Sequence, residues 1–372
     1  MKIVVVSSLF PHPQNPLSGK FVKEWAHFLK SQGHSVEVLF VSAIQSKDFF
    51  RKEISEKEED GLIVHSVIIH SRFYKKIFQL IPILLRKDVE RKFEMIESKA
   101  KVELINSHFI FPSGIVAYKL SQKFRKKHII SEHWSKLDKF FSRNYFASRA
   151  RAAYQNAESV ICVSEFLKQN VLKHNPNLTN ISVMPNIVDS LLFNFQEKKN
   201  RTDEIVFSAI ASWVYPKRPQ LFIEALNEIG MRTKKKIILK IGGDGPALDA
   251  AMEMKNLSIR INALGILNKQ EVSDLMKQSD FFVHASDYET FCIVAAEALC
   301  CGTPVIASNR GGLPEIVNEE SGVLVENTVT DWVTGIEKAM SRSFDSKRIA
   351  EQNQGRFSEQ KVGEIFRQLL RQ

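Results

Sequence analysis

The chain has 372 residues, 44% hydrophobic and 25% charged, a balance that excludes a disordered or fibrous protein and suffices for two sizeable cores. No apolar run approaches the length of a membrane span, and the opening MKIVVVSSLF reads as a buried strand rather than a signal peptide. The net charge is +10 and uneven: residues 1–190 carry 29 Lys and Arg against 18 Asp and Glu, residues 191–372 carry 23 against 24.

Ile3–Ser7 is the first predicted strand. The turn-rich PHPQNPLSG follows, then a helix from Lys20 to Gln32 closed by Gly33, then a strand over Val36–Val41. Residues 47–60 are so highly charged that they read as a loop or exposed excursion. Further strands are expected at Leu62–Ile69, Leu104–Ser107, His128–Ser131, Ser159–Val163 and Ile181–Met184, most of them separated by helices. This is the pattern of a parallel sheet with helices on its faces. The basic excess concentrates between Arg72 and Arg151, where RFYKKIFQLIPILLRKDVERK interleaves cations with an apolar run. Such a segment suits an anionic membrane surface, an acceptor that carries phosphate, or simply a solvated face. No nucleic-acid module is present.

The polar stretch Gln196–Asp203 after MPNIVD is placed as the linker between a domain over 1–190 and one over 191–355. The second set of strands is expected at Ile205–Ala209, Ile237–Ile241, Ser258–Ile261, Phe281–His284, Pro304–Ala307 and Gly322–Val325, with a terminal helix over Ser358–Leu370. Two such α/β domains are expected to face each other and hold a ligand at the carboxyl ends of their strands. Cys162, Cys292, Cys300 and Cys301 have neither metal-ligand nor disulfide spacing, which places the chain in a reducing cytoplasm.

The stretch SDYETFCIVAAEALCCG, residues 286–302, carries most of the chemistry. Thr290 is expected to cap a helix whose first turn is Phe291, Cys292 and Ile293, with Gly302 and Pro304 ending it. Glu289 then lies just before the helix and Glu297 about two turns inside it, roughly 9 Å further along. A helix N-terminus attracts phosphate, and carboxylates accept from vicinal hydroxyls. The pair therefore fits a diphosphate with hydroxyls on both sides, as in a nucleotide-sugar. From spacing alone, an amphipathic unit with two exposed glutamates fits equally well.

Several segments resemble the retaining glycosyltransferases of family four, which adopt the GT-B fold of two Rossmann-like doubly wound domains. ETFCIVAAEALCCGTPVIAS matches the family's paired-glutamate motif, and GGLPEIV, IGGDGP and MPNIVD follow its pattern. So do LSGKFVKEWAHFLKSQGHSVEVL, VICVSEFLKQNV and the terminal FSEQKVGEIFRQLL, which is similar to the final helix that packs back on the first domain (here 356–372). The resemblance implies that Glu289 accepts from the donor hexose, that the N–H groups near Phe291, Cys292 and Ile293 hold the diphosphate, and that Glu297 takes the ribose hydroxyls. Lys217 matches the lysine that stabilises the leaving diphosphate. Gly19 brings the first domain's backbone to the phosphates, Gly243 lines the site from its turn, and Leu264–Ile266 meet the base. His133 matches a histidine near the reacting sugar, although His108 also ends a strand.

Where the family usually carries a second cation, this chain has Ser212, with Arg218 the nearest substitute. The resemblance implies no metal and no cofactor beyond a UDP- or GDP-linked donor. The D-x-E pair Asp287–Glu289 is not read as a metal site, because Lys217 and the helix already supply positive charge. The expected acceptor is a glycan or lipid-linked molecule of surface polysaccharide or lipopolysaccharide synthesis, reached from the cytoplasm with peripheral contact to the inner membrane face. A degenerate homologue that only binds is the alternative that Ser212 motivates. A Rossmann oxidoreductase is disfavoured, since SLFPHPQNPLSG after the first strand lacks G-x-G-x-x-G. In a sugar phosphorylase of the same fold, the cofactor lysine is not identifiable.

Overall fold

The computed structural model describes residues 1–143, 145–198 and 202–371; residues 199–201 of the expected linker lie outside the described residues. The chain divides into two compact units, residues 1–163 with 167–184, and residues 185–372 with 164–166.

The first unit holds eight strands: β1 Lys2–Ser7, β2 Ser35–Gln45, β3 Arg51–Glu59, β4 Leu62–Ser71, β5 Leu104–His108, β6 Lys127–Glu132, β7 Ser159–Cys162 and β8 Ile181–Val183. They are ordered β3-β4-β2-β1-β5-β6-β7-β8, and every pairing is parallel except β3–β4. The run Ile3–Val6 is buried on both faces of the sheet, as a parallel sheet covered by helices requires. Val4 and Val6 join Leu39, Val41, Ile105 and Phe93 in one core cluster.

The charged residues 47–60 are not a loop: Arg51–Glu59 is an edge strand, antiparallel to β4. One of its backbone edges faces solvent, so it tolerates a polar sequence and needs no apolar alternation. Its hydrogen bonds come from β4, and Lys52–Asp88 (2.7 Å) and Glu56–Lys99 (3.0 Å) tie it to the helix behind. The connecting Asp60–Gly61 has φ of 51° and 75°, the positive values that a two-residue hairpin turn of this sequence adopts.

The second unit is all parallel, with β9 Glu204–Ile210, β10 Lys236–Gly242, β11 Arg260–Gly265, β12 Phe281–His284, β13 Val305–Ser308 and β14 Gly322–Val325. Their order is β11-β10-β9-β12-β13-β14. Phe207, Leu239, Trp213, Phe222 and Trp332 fill its core, each contributing roughly 1.5–3 kcal/mol by leaving water. The chain grows outward from β9 in one direction and from β12 in the other. Loops after β9 and β12 therefore diverge and leave a crevice at the carboxyl ends between them. The four cysteines are buried and unbridged. Among the described residues, no helix is long and apolar enough to cross a membrane.

Candidate functional site

Lys217 leaves β9 and Glu289 leaves β12, so the two residues stand on either side of that divergence. Backbone bonds stitch the loops together: Lys217 bridges Ser286, Arg218 N–H donates to Ala285 O (3.0 Å), and Asp287 N–H donates to Pro216 O (2.9 Å). The Lys217 ammonium donates to Glu289 Oε1. His284, the last residue of β12, places Nε2 2.6 Å from the same oxygen. Both contacts fall on Oε1, which leaves Oε2 for another partner. Burial pushes the Glu289 carboxyl upward, but the His284 bond and the Lys217 charge outweigh it and hold the group at about 2. Burial lowers the pKa of His284 despite Glu289. The ring is therefore neutral at pH 7, and its bond to a carboxylate requires the proton on Nε2. Its buried Nδ1 has no partner among the described residues.

The loop that carries Glu289 is fixed from behind. Gly312 N–H donates to Glu289 O (2.9 Å). At Gly311, φ is 60° and an added Cβ would fall 2.1 Å from Glu289 O, which explains the glycine pair in GGLPEIV. Gly311→Ala is expected to lower stability by about 1–3 kcal/mol and to weaken nucleotide binding by moving Glu289. Thermal unfolding and a nucleotide titration check this; a variant matching wild type in both would contradict it. On the other side, Asn327 donates to Ser286 O (3.1 Å) and Asp287 Oδ1 (2.9 Å), and Ser286 N–H donates to Ser308 Oγ (3.0 Å).

The helix begins at Ile293, later than expected, and Thr290 does not cap it. Cys292 takes the N-cap position with φ 79° and no side-chain cap; Ala295 N–H turns back to Cys292 O (3.2 Å), which leaves the Ile293 and Val294 N–H groups for other acceptors. Phe291 and Cys292 precede the helix, and Glu297 is buried just over one turn into it rather than two. The Cys292 thiol is buried, and its pKa rises well above the ordinary value through burial and the Glu289 charge. Ligand atoms of His284, Glu289 and Cys292 lie within 4.8 Å of one another, a grouping the sequence spacing did not reveal. Lys217 already brings a cation to that carboxylate.

Of the other expected donor contacts, Leu264 and Ile266 are exposed at the end of β11. The Gly243 turn is held by Trp213, which donates Nε1–H to Gly242 O (2.8 Å) and N–H to Asp244 O (2.8 Å). Ser212 is exposed. Arg218, expected as the substitute cation, spends its guanidinium on Asp287 (3.0 and 3.2 Å).

In the first unit, Gly19 opens the helix Lys20–Ser31 with φ 62°, and an added Cβ would lie 2.4 Å from the Leu9 backbone. Phe21 in that first turn packs on His133 with ring centroids 4.8 Å apart. His108 and His133, weighed as alternatives from sequence, are partners: their rings are parallel within 8° and His108 Nδ1 is 3.0 Å from His133 Nε2. Burial holds His133 at about 3 and His108 well below its usual value. Glu132, which carries no sequence signal of its own, is fully buried and accepts from Ile110, His133 and Trp134 N–H (2.9 Å each) and from Tyr154 Oη (2.7 Å). It fixes the backbone that presents His133.

Every histidine whose pKa moves is moved down: His12, His27, His34, His108, His128, His133 and His284. The unfolded chain takes up protons below its pKa of about 6.5 and the folded chain does not, so stability is full above that pH and falls as pH drops toward the folded values. Raised carboxyls at Glu132 and Glu359 pull the other way. Fully buried His128, held at about 3, alone implies a loss of about 2 kcal/mol between pH 7 and 5. Urea midpoints at the two pH values test this; equal midpoints would contradict it.

The family description Glycosyltransferase Family 4 matches residues 18–190, and Glycosyl transferases group 1 matches residues 192–356. An uncharacterized glycosyltransferase of Methanocaldococcus jannaschii is 31% identical over 267 residues, 70% of this chain and 71% of that protein. The chain belongs to glycosyltransferase family four. A second relative of this glycosyltransferase is a phosphatidylinositol N-acetylglucosaminyltransferase subunit from Arabidopsis thaliana, 32% identical over 188 residues. That match spans 50% of this chain and 42% of the Arabidopsis protein. The structure of Anabaena HepE with UDP and glucose superposes over 100% of the chain and 99% of its own, with a TM-score of 0.73 at 16% identity, which gives the fold as GT-B.

Proposed function

We propose that this family-four enzyme moves a hexose from a nucleoside diphosphate sugar with retention of anomeric configuration and without a metal. The observation that carries the reading is the single Glu289 oxygen held by both Lys217 and His284, with the second oxygen left to accept from sugar hydroxyls. The uncapped start at Cys292 suits the diphosphate, Glu297 the ribose, and exposed Leu264 and Ile266 a base. Lys217 is positioned to exchange part of its contact with Glu289 for the diphosphate and to stabilise the charge that develops as the anomeric C–O bond breaks. The acceptor oxygen bonds on the same face, and its proton passes to the departing diphosphate. UDP is the first donor nucleotide to test, because the Anabaena neighbour was solved with UDP.

Slow hydrolysis of an α-linked donor, followed by proton NMR, tests this: α-hexose should appear first and EDTA should not change the rate. A β-hexose product, or loss of turnover with EDTA that a divalent ion restores, would contradict it. A binding-only homologue is the second reading, favoured by exposed Ser212 and by Arg218 being paired with Asp287. Tight nucleotide binding with no donor consumption would establish it.

For the acceptor we propose a glycan or lipid-linked molecule of surface polysaccharide or lipopolysaccharide synthesis, met at the inner membrane face. Support comes from exposed Phe49, Phe73, Leu80 and Ile83 beside the cations of the 72–91 segment, with the Arg72 guanidinium 5.3 Å from the Phe49 ring and 4.9 Å from the Phe73 ring. Flotation with anionic vesicles at low salt is expected; protein left in the soluble fraction would count against it.

A further inference from the structure

A cavity of about 1220 Å³ opens in the first unit at the carboxyl ends of β1 and β2. The short helix Tyr74–Phe78, the loop after β6 and the helix Leu137–Arg143 complete its wall. Among the described residues, three lysines line it, Lys75, Lys136 and Lys139, and no Asp or Glu does. None of the three forms an ion pair among the described residues, and all are exposed. The lining histidine, His12, is kept neutral by burial, so the positive charge rests on the lysines. Like charges gathered round one concavity without carboxylates repel one another until an anion enters. Aromatic faces share the lining: Trp134 packs 5.4 Å from Phe140, and the Lys75 ammonium lies 5.9 Å from the centroid of the Tyr74 ring. Such faces pack against the C–H surface of a sugar or polyol ring, and Gln45 and its neighbours offer amides to hydroxyls. Trp134 follows His133 directly in sequence.

We infer that this cavity binds the acceptor of the transfer reaction, and that the acceptor carries a phosphate group next to a hydroxyl-bearing ring. The assignment rests on the proposed donor reading of the second unit, which does not say where the acceptor binds. Lys136 and Lys139 hold the phosphate from one helix and its approach, Lys75 meets it from the other wall, and the aromatic faces orient the ring. The volume exceeds that needed by one hexose phosphate, so the phosphate belongs to a larger soluble glycan or to a lipid headgroup.

The full chain is titrated calorimetrically with glucose 1-phosphate and with methyl α-glucoside. It is also sedimented with phosphatidylcholine–phosphatidylinositol vesicles and, at equal charge, with phosphatidylcholine–phosphatidylserine vesicles. The comparison protein is Lys136→Gln/Lys139→Gln, whose two positions are exposed and outside the donor site; UDP titration of both proteins reports on the donor site independently. Binding of glucose 1-phosphate but not of the glucoside, weakened about tenfold or more in the double variant, supports the site with a soluble acceptor. Retention on phosphatidylinositol vesicles above the phosphatidylserine control, lost in the double variant, supports it with a lipid headgroup. Absence of both, or equal binding by the double variant, overturns it. If UDP binds neither protein while the lysine-dependent binding persists, the donor reading and the acceptor role fail together, and the cavity stands only as a phosphate site.

Discussion

Glu289→Gln is expected to lower transfer about a hundredfold to ten-thousandfold in kcat. The glutamine is nearly isosteric, so the loss would come from charge. A neutral amide leaves Lys217 without its counter-charge before the donor arrives, and it accepts from sugar hydroxyls more weakly than a carboxylate. The same substitution leaves a largely buried lysine unpaired, which predicts a stability loss of up to about 3 kcal/mol. Rates therefore need to be taken well below the unfolding transition, with circular dichroism confirming the fold. A folded variant with near-wild-type kcat would remove Glu289 from the donor site.

Lys217→Met is expected to reduce kcat about a hundredfold to a thousandfold and to weaken binding of the nucleoside diphosphate product, because the cation acts on the charge that develops at the leaving group. It also leaves Glu289 without the partner that helps hold its carboxyl near 2, so that pKa should rise in the variant. The two substitutions touch one hydrogen-bonded unit, so the double variant should lose far less than the product of the single losses. Multiplicative losses would mean that Lys217 and Glu289 act separately, against the shared oxygen.

Much of this is legible in the sequence, for identifiable reasons. The parallel strands announce themselves because both faces are buried, as in Ile3–Val6. The glutamate spacing survives because it is local to one loop and one helix. Strand β3 is hidden because an exposed edge imposes no apolar pattern, although Asp60–Gly61 is a hairpin signal that could have found it. The helix start is misplaced because Thr290 is a good capping residue by type, whereas the chain turns at Cys292 in the left-handed region. Asn327 escapes a sequence reading because its partners Ser286 and Asp287 lie 41 and 40 positions away, and His284 because nothing local shows that the loop folds back on it. His284 reads as one more strand residue until the loop after β12 turns Glu289, five positions on, back against its ring. The pairing of Arg218 with Asp287 is likewise a contact across 69 positions, and no local pattern announces it.

The most direct test of the central claim is a calorimetric titration of wild type, Glu289→Gln and Lys217→Met with UDP-N-acetylglucosamine, UDP-glucose and GDP-mannose, supported by thermal shift. At least one of these donors should bind wild type and lose about tenfold or more in affinity in both variants. Failure of every donor to bind, or equal affinity across the three proteins, would contradict a donor site built on Glu289 and Lys217.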